Sequence, residues 1–164
     1  MVFNYANWGD GIIKLTWKQD YMPPVELITS VHGICFYNDK VLLVDLNHRG
    51  WDIPGGHMEV GETPEQCFKR EAFEEGYVEG DCILLGAVEV DHHENPNWDK
   101  TSKYPLVGYQ LFYRMDVKRI LPFSAQFESH RRIFVEPGDI KQYIKMDNVR
   151  QAMVDHAIQL EIRS

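Results

Sequence analysis

Between Pro54 and Gly76 the chain specifies, residue by residue, a tight turn followed by a helix with an acidic end. Pro54 stops the short apolar run Trp51-Asp52-Ile53, and Gly55-Gly56 allows backbone geometries that residues bearing a side chain resist. Thr63 is placed as an N-cap, Pro64 takes the first helical position, and Gln66 lies three residues past the cap, the spacing of a capping box. The pattern predicts a helix running to Glu75 and ending at Gly76. Glu71, Glu74 and Glu75 recur along it at spacings of three and four, which places them on a shared arc of about 100°. Like charges so placed destabilise a helix. A cation held on that face is the expected compensation.

Such a face suits the hydrolysis of a phosphoanhydride. That reaction needs the phosphate charge neutralised, a water placed in line, and a base or metal to activate it. Mg²⁺ prefers carboxylate oxygens, water and substrate phosphates to a closed protein cage. Three carboxylates beside a glycine turn supply an open site of that kind, with Gly55-Gly56 contributing a carbonyl ligand or simply room.

The rest of the chain reads as alternating strand and turn. Val31–Tyr37 and Lys40–Leu46 flank Asn38-Asp39 and predict a hairpin. Cys82–Val90 and Leu106–Met115 read as strands separated by the polar loop Asp91–Lys103, and Arg131–Val135 as another strand ended by Pro137-Gly138. After the cap Asp147, Val149, Met153, Ala157 and Leu160 recur at helical spacing. Residues 1–30 carry one strand pattern, Ile12–Trp17, and then Pro23-Pro24; they are taken as an N-terminal elaboration packed on a single domain of residues 31–164. An α/β layered domain with a mixed sheet follows.

The acidic segment resembles the Nudix box. Gly56, Glu62, Arg70, Glu71, Ala72, Glu74, Glu75 and Val78 fall in the register of that signature. One position departs: Tyr77 stands where the family has a glycine, with Gly76 one residue earlier, and this is read as a shifted helix end. The resemblance, to a MutT-like Nudix hydrolase, implies an α/β/α sandwich with a mixed central sheet and a loop-helix, and a Mg²⁺ or Mn²⁺ cofactor. It further implies Glu71, Glu74, Glu75 and the Gly55 carbonyl as metal ligands, and Glu62 as an auxiliary to the metal shell. Arg70 would fix the helix carboxylates through its i+4 neighbour Glu74, Glu71 and Glu75 are the base candidates within the box, and Glu128 is similar to the later-loop Glu that joins such sites. The implied substrate is a nucleoside diphosphate linked to a further group, with nucleoside triphosphates, including oxidised ones, among the possibilities.

Competing readings lie beside these. A nucleotide-sensing module that kept the fold and lost turnover would show degenerate carboxylates, and none is missing. A structural Ca²⁺ site would tend to fill the positions left open here. His92-His93-Glu94 is read as loop surface, and Trp51, Tyr37, Phe112 and Tyr113 as core more than as stacking platforms. A net charge of -8 argues against a broad nucleic-acid or anionic-membrane surface. Three cysteines without metal-ligand spacing, and no evident signal peptide or apolar span, point to a reduced, cytoplasmic setting.

Overall fold

The computed structural model describes residues 1–8 and 11–160. Among them nine strands form one sheet: β1 (Phe3–Asn7), β2 (Ile12–Gln19), β3 (Ile28–Tyr37), β4 (Lys40–Leu46), β5 (Gly50–Asp52), β6 (Gly55–Gly56), β7 (Val78–Asp91), β8 (Val107–Ile120) and β9 (Ser129–Val135). Their order is β1-β2-β7-β8-β3-β4-β5, with β6 paired to β3 and β9 to β4. Only β3 and β8 run parallel; the remaining pairs are antiparallel, so the sheet is mixed.

Strand alternation explains the layers. On β4, Val41 and Leu43 join one core while Leu42 and Val44 join the other. On β8, Phe112 faces the first and Leu111 and Tyr113 the second. Side chains alternate across a strand, so a sheet apolar on both faces must be covered on both. Helix α1 (Pro64–Glu71) brings Cys67 and Phe68 to one core, and helix α2 (Asn148–Gln159) brings Val149, Met153 and Ala157 to the other. The result is an α/β/α sandwich.

Local chemistry sets the connections. Asn38 and Asp39 both take positive φ, 50° and 62°, as a two-residue hairpin turn between β3 and β4 requires. The capping box forms: the Gln66 amide N–H donates to Thr63 Oγ1 at 3.2 Å, and the Thr63 N–H to Gln66 Oε1 at 3.0 Å. Asp147 caps α2, accepting from the Arg150 N–H at 2.8 Å. The first strand, β1, carried no readable pattern in the sequence; it pairs with β2 at the sheet edge, and β2 pairs with β7.

Two local expectations are corrected. The α-helical turns stop at Glu71, and a widened π-type turn, Ala72–Gly76, follows. The residue that ends it in the left-handed region is Tyr77, at φ 55° and ψ 44°, not Gly76. The helix end is therefore not shifted: a tyrosine occupies the strained position where the family pattern has glycine. Gly76 serves a different need, because a Cβ there would stand 2.5 Å from Leu42 Cδ2. The second correction concerns His92, which is buried, its N–H closing the following loop on the Leu106 carbonyl at 2.9 Å, while His93 and Glu94 are exposed. Phe112 and Tyr113 are core residues as read, whereas Trp51 is only half-buried and Tyr37 is exposed.

Candidate functional site

The glycine turn and the acidic helix end meet through β6. Its two residues pair with Val31 and His32 of β3, which places Gly55-Gly56 against α1. A Cβ on Gly56 would lie 2.6 Å from Glu71 Oε1, so only glycine lets this carboxylate approach the turn so closely. The Gly55 N–H donates to Glu75 Oε1 at 2.9 Å.

The π-type turn redistributes the three carboxylates. Glu75 turns inward and is 3% exposed, while Glu74 turns toward Arg70 and stays partly exposed. They do not share the single arc that uniform α-helical spacing implies, because the widened turn changes the angle per residue after Glu71. Burial pushes the Glu75 carboxyl up to about 8, and nearby Glu71 and Glu128 push in the same direction against the Gly55 N–H. Burial also raises Glu71, opposed by Arg70.

Arg70 is the hub of the acidic face. Its Nε and Nη2 donate to Glu62 at 2.6 and 3.0 Å, its Nη1 to Glu71 at 2.7 Å and to Glu74 at 3.3 Å, and its Nη2 to the His57 carbonyl at 3.1 Å. The Arg70–Glu74 pair expected from helical spacing is present, but the shorter bonds go to Glu62 and Glu71. Hydrogen bonding to Arg70 holds the Glu62 carboxyl below its ordinary range.

A cleft of about 530 Å³ opens over this arrangement, with Gly55, Gly56, Arg70, Glu71, Glu75 and Glu128 on its wall. Glu128 arrives from the end of the segment before β9, its carbonyl accepting from the Asn47 N–H at 2.7 Å. Glu62 and Glu74 do not line the cleft; both bond Arg70, which does, and Glu62 also accepts from the N–H of the lining residue Glu59 at 2.8 Å. Among the described residues, no three His, Cys, Asp or Glu side chains close around a common point as they stand. Ser30, His32, His48, Arg49 and Gln110, none of them singled out in the sequence, line the same cleft. A signal existed for one of them: Arg49 is a cation in the turn ahead of Gly55-Gly56 in an acidic chain.

Tyr77 ties the helix end to the Glu128 segment. Its hydroxyl oxygen accepts from the Gln126 N–H at 2.9 Å and from Ser124 Oγ at 3.1 Å, and its ring meets Phe73, Phe123 and Phe127. Arg132 adds bonds to the carbonyls of Gly76, Tyr77 and Leu121. These contacts offset a left-handed cost of roughly 1–2 kcal/mol for a non-glycine residue. Tyr77→Phe is expected to cost about 1 kcal/mol and to speed amide exchange across residues 123–128 while α1 keeps its protection. Unchanged exchange in that segment would show that the hydroxyl does not hold it.

A sheet covered on both faces, with a glycine turn and an acidic helix end at the mouth of one cleft, defines an α/β/α protein of the loop-helix type. Residues 27–156 match the NUDIX domain. The chain belongs to the Nudix family. A 98-residue stretch is 29% identical to YjhB, a candidate ADP-ribose pyrophosphatase of Bacillus subtilis strain 168, covering 58% of this chain and 47% of that protein. This chain thus spans about half the length of that curated relative. Among solved structures, the Bacillus subtilis pyrophosphohydrolase BsRppH, in a point-mutant form, aligns with a TM-score of 0.67 at 20% identity, over 90% of this chain and 89% of that one. An ADP-ribose pyrophosphatase from Streptococcus suis aligns at 0.54 with 17% identity, over 81% and 90%. At these identities the structural matches establish the fold.

Proposed function

We propose that this Nudix protein is a Mg²⁺- or Mn²⁺-dependent pyrophosphohydrolase acting on a nucleoside diphosphate linked to a further group. One observation carries the reading: Glu71, Glu75 and Glu128 face a single open cleft beside Gly55-Gly56, with His48 and Arg49 on the same cleft. Carboxylates alone would repel a pyrophosphate, Arg70 is already engaged by Glu62, Glu71 and Glu74, and Arg49 alone would not offset the rest, so the site makes chemical sense with a cation between acid and phosphate.

The donor set fits a hard divalent ion. It consists of oxygens only, it is open to water and substrate, and among the described residues no cationic side chain is bonded to the buried Glu75 carboxyl. Glu71, Glu75 and the Gly55 carbonyl would hold the ion, Glu74 would join by turning away from Arg70, and Glu62 and Glu128 would support the shell. When bound, the ion supplies charge neutralisation at the phosphates and a lower pKa for the attacking water. The chain supplies the rest. Arg70 holds Glu62, Glu71 and Glu74 in one cluster, so their positions are set before substrate arrives. Of the groups that line the cleft, Glu71, Glu75 and Glu128 are the base candidates that take a proton as water attacks phosphorus. The bond to the bridging oxygen breaks, leaving two phosphorylated fragments.

The names of two relatives put ADP-ribose first among the substrates to try; nucleoside triphosphates including an oxidised form, nucleotide sugars and dinucleoside polyphosphates complete the panel. Turnover of at least one is expected with Mg²⁺ or Mn²⁺, loss of that turnover with EDTA, and recovery on adding the metal back. Product analysis then identifies the bond cleaved. Binding without product under either metal would favour a sensing module instead.

A further inference from the structure

A second pocket opens beside the cleft, and its walls are chemically different. It has a volume of about 140 Å³ and shares Ser30, His57 and Gln110 with the acidic cleft, so one elongated ligand can enter both. Beyond those residues no carboxylate or lysine among the described residues lines it. Trp8 and Tyr104 form aromatic walls, 50% and 42% exposed, and Val90 and Pro105 add apolar surface. Large aromatic rings left in solvent at a pocket rim call for a partner surface.

Ser30, Thr29 and His57 are bonded within the protein, at His32, the Tyr109 carbonyl and the Thr29 carbonyl, but Gln110 and His92 keep groups to offer a ligand. Gln110 sits on the central strand β8, in register with Ser30 of β3 and Val88 of β7, so the backbone beneath it is fixed on both sides. Among the described residues its side-chain amide makes no hydrogen bond, leaving two donors and an acceptor free. His92 is buried on the same wall, and burial lowers its pKa, which keeps the ring neutral. With Nδ1 accepting from Asn95 Nδ2 at 3.2 Å, the ring proton resides on Nε2, a donor without a protein partner among the described residues.

We infer that this pocket, walled by Trp8, Tyr104, His92 and Gln110, binds the nucleobase of the substrate and sets base preference. A planar heterocycle has π faces for the aromatic walls and mixed donor and acceptor edges for an amide and a neutral imidazole. A purely apolar group would leave the amide and imidazole unpaired. Trp8 follows β1, so the N-terminal strands have a role in recognition as well as in extending the sheet.

The inference rests on the proposed hydrolase reading for the position of the diphosphate, and it is tested without turnover. Adenosine, guanosine, cytidine and uridine are titrated against the whole protein by ligand-observed NMR, with their 5′-diphosphates by calorimetry. The wild type is expected to prefer one base. Trp8→Ala is expected to weaken that nucleoside by about 10-fold or more. Gln110→Ala is expected to weaken it about 5- to 10-fold and to flatten the preference among the four. Gln110→Glu keeps size and reverses half of the edge, so it is expected to change which base is preferred. Nucleoside binding that is absent, or indifferent to all three substitutions in folded protein, overturns the pocket whether or not the enzyme turns over. Base-selective binding lost in the variants, in a protein that hydrolyses nothing, would leave the pocket standing and remove the hydrolase reading.

Discussion

Glu75→Gln is expected to lower kcat/KM by roughly 10²–10³-fold, the scale of losing one preorganised electrostatic group, and at the same time to stabilise the metal-free protein at alkaline pH. Glutamine keeps the shape of the side chain and can still accept from the Gly55 N–H, but it cannot carry charge. Burial raises the Glu75 pKa in the fold from its ordinary 4.5 to about 8. A raised folded-state value means that the native state binds the proton more tightly than the unfolded chain, so native stability falls as pH rises from about 4.5 through about 8. The variant escapes that loss. In EDTA, its melting temperature should exceed that of the wild type above about pH 8, and the gap should close below about pH 4.5. Glu71→Gln should show a comparable loss of turnover with a smaller effect on stability, because Arg70 already compensates that carboxylate at 2.7 Å. Undiminished kcat/KM in both variants would remove both residues from the chemistry.

Phe68→Ala is expected to be the most damaging single change outside the cleft. Phe68 has no exposed surface, lies parallel to Tyr113 with ring centroids 6.0 Å apart, and covers Gly33 of β3. It is the main apolar anchor of a helix whose α-helical part has only eight residues, buries only Cys67 besides, and must nevertheless hold the acidic face against the sheet. Truncating a buried Phe costs about 3–5 kcal/mol, which for a chain of this size lowers the melting temperature by roughly 6–20 °C. The helix is expected to loosen before the sheet, so turnover should fall at temperatures where the far-UV signal of the sheet is still intact. Phe68→Leu, which keeps most of the volume, should recover most of both. A denaturant midpoint unchanged in Phe68→Ala would show that α1 is held elsewhere, with the Arg70 cluster as the next candidate.

The elements differed in how far they could be read. The helix start was fully local: Thr63, Pro64 and Gln66 lie within four positions, and the bonds they make are the ones their spacing implies. The hairpin at Asn38-Asp39 was equally local. The helix end was not. Gly76 resembles a terminator by type, yet contact with Leu42 of β4 claims it for close packing, and Tyr77 takes the left-handed turn because groups from residues 124, 126 and 132 hold it there. No spacing rule carries that information. His92 followed the same logic: a polar loop residue by composition, buried because its loop folds back on the neighbouring strand.

What the sequence determined by itself was the chemistry of the acidic segment and its register, since ionisable groups on one short helix are set by spacing along the chain. What only the tertiary structure decided was which groups share a cleft. The π-type turn sends Glu75 inward and Glu74 toward Arg70, the strand order brings Glu128 and Arg49 to the same opening, and β8 carries Gln110 to a pocket that Trp8 also lines. Those neighbours are made by sheet pairing between distant segments, and the free energy of that pairing comes from two buried cores that no single stretch of residues encodes.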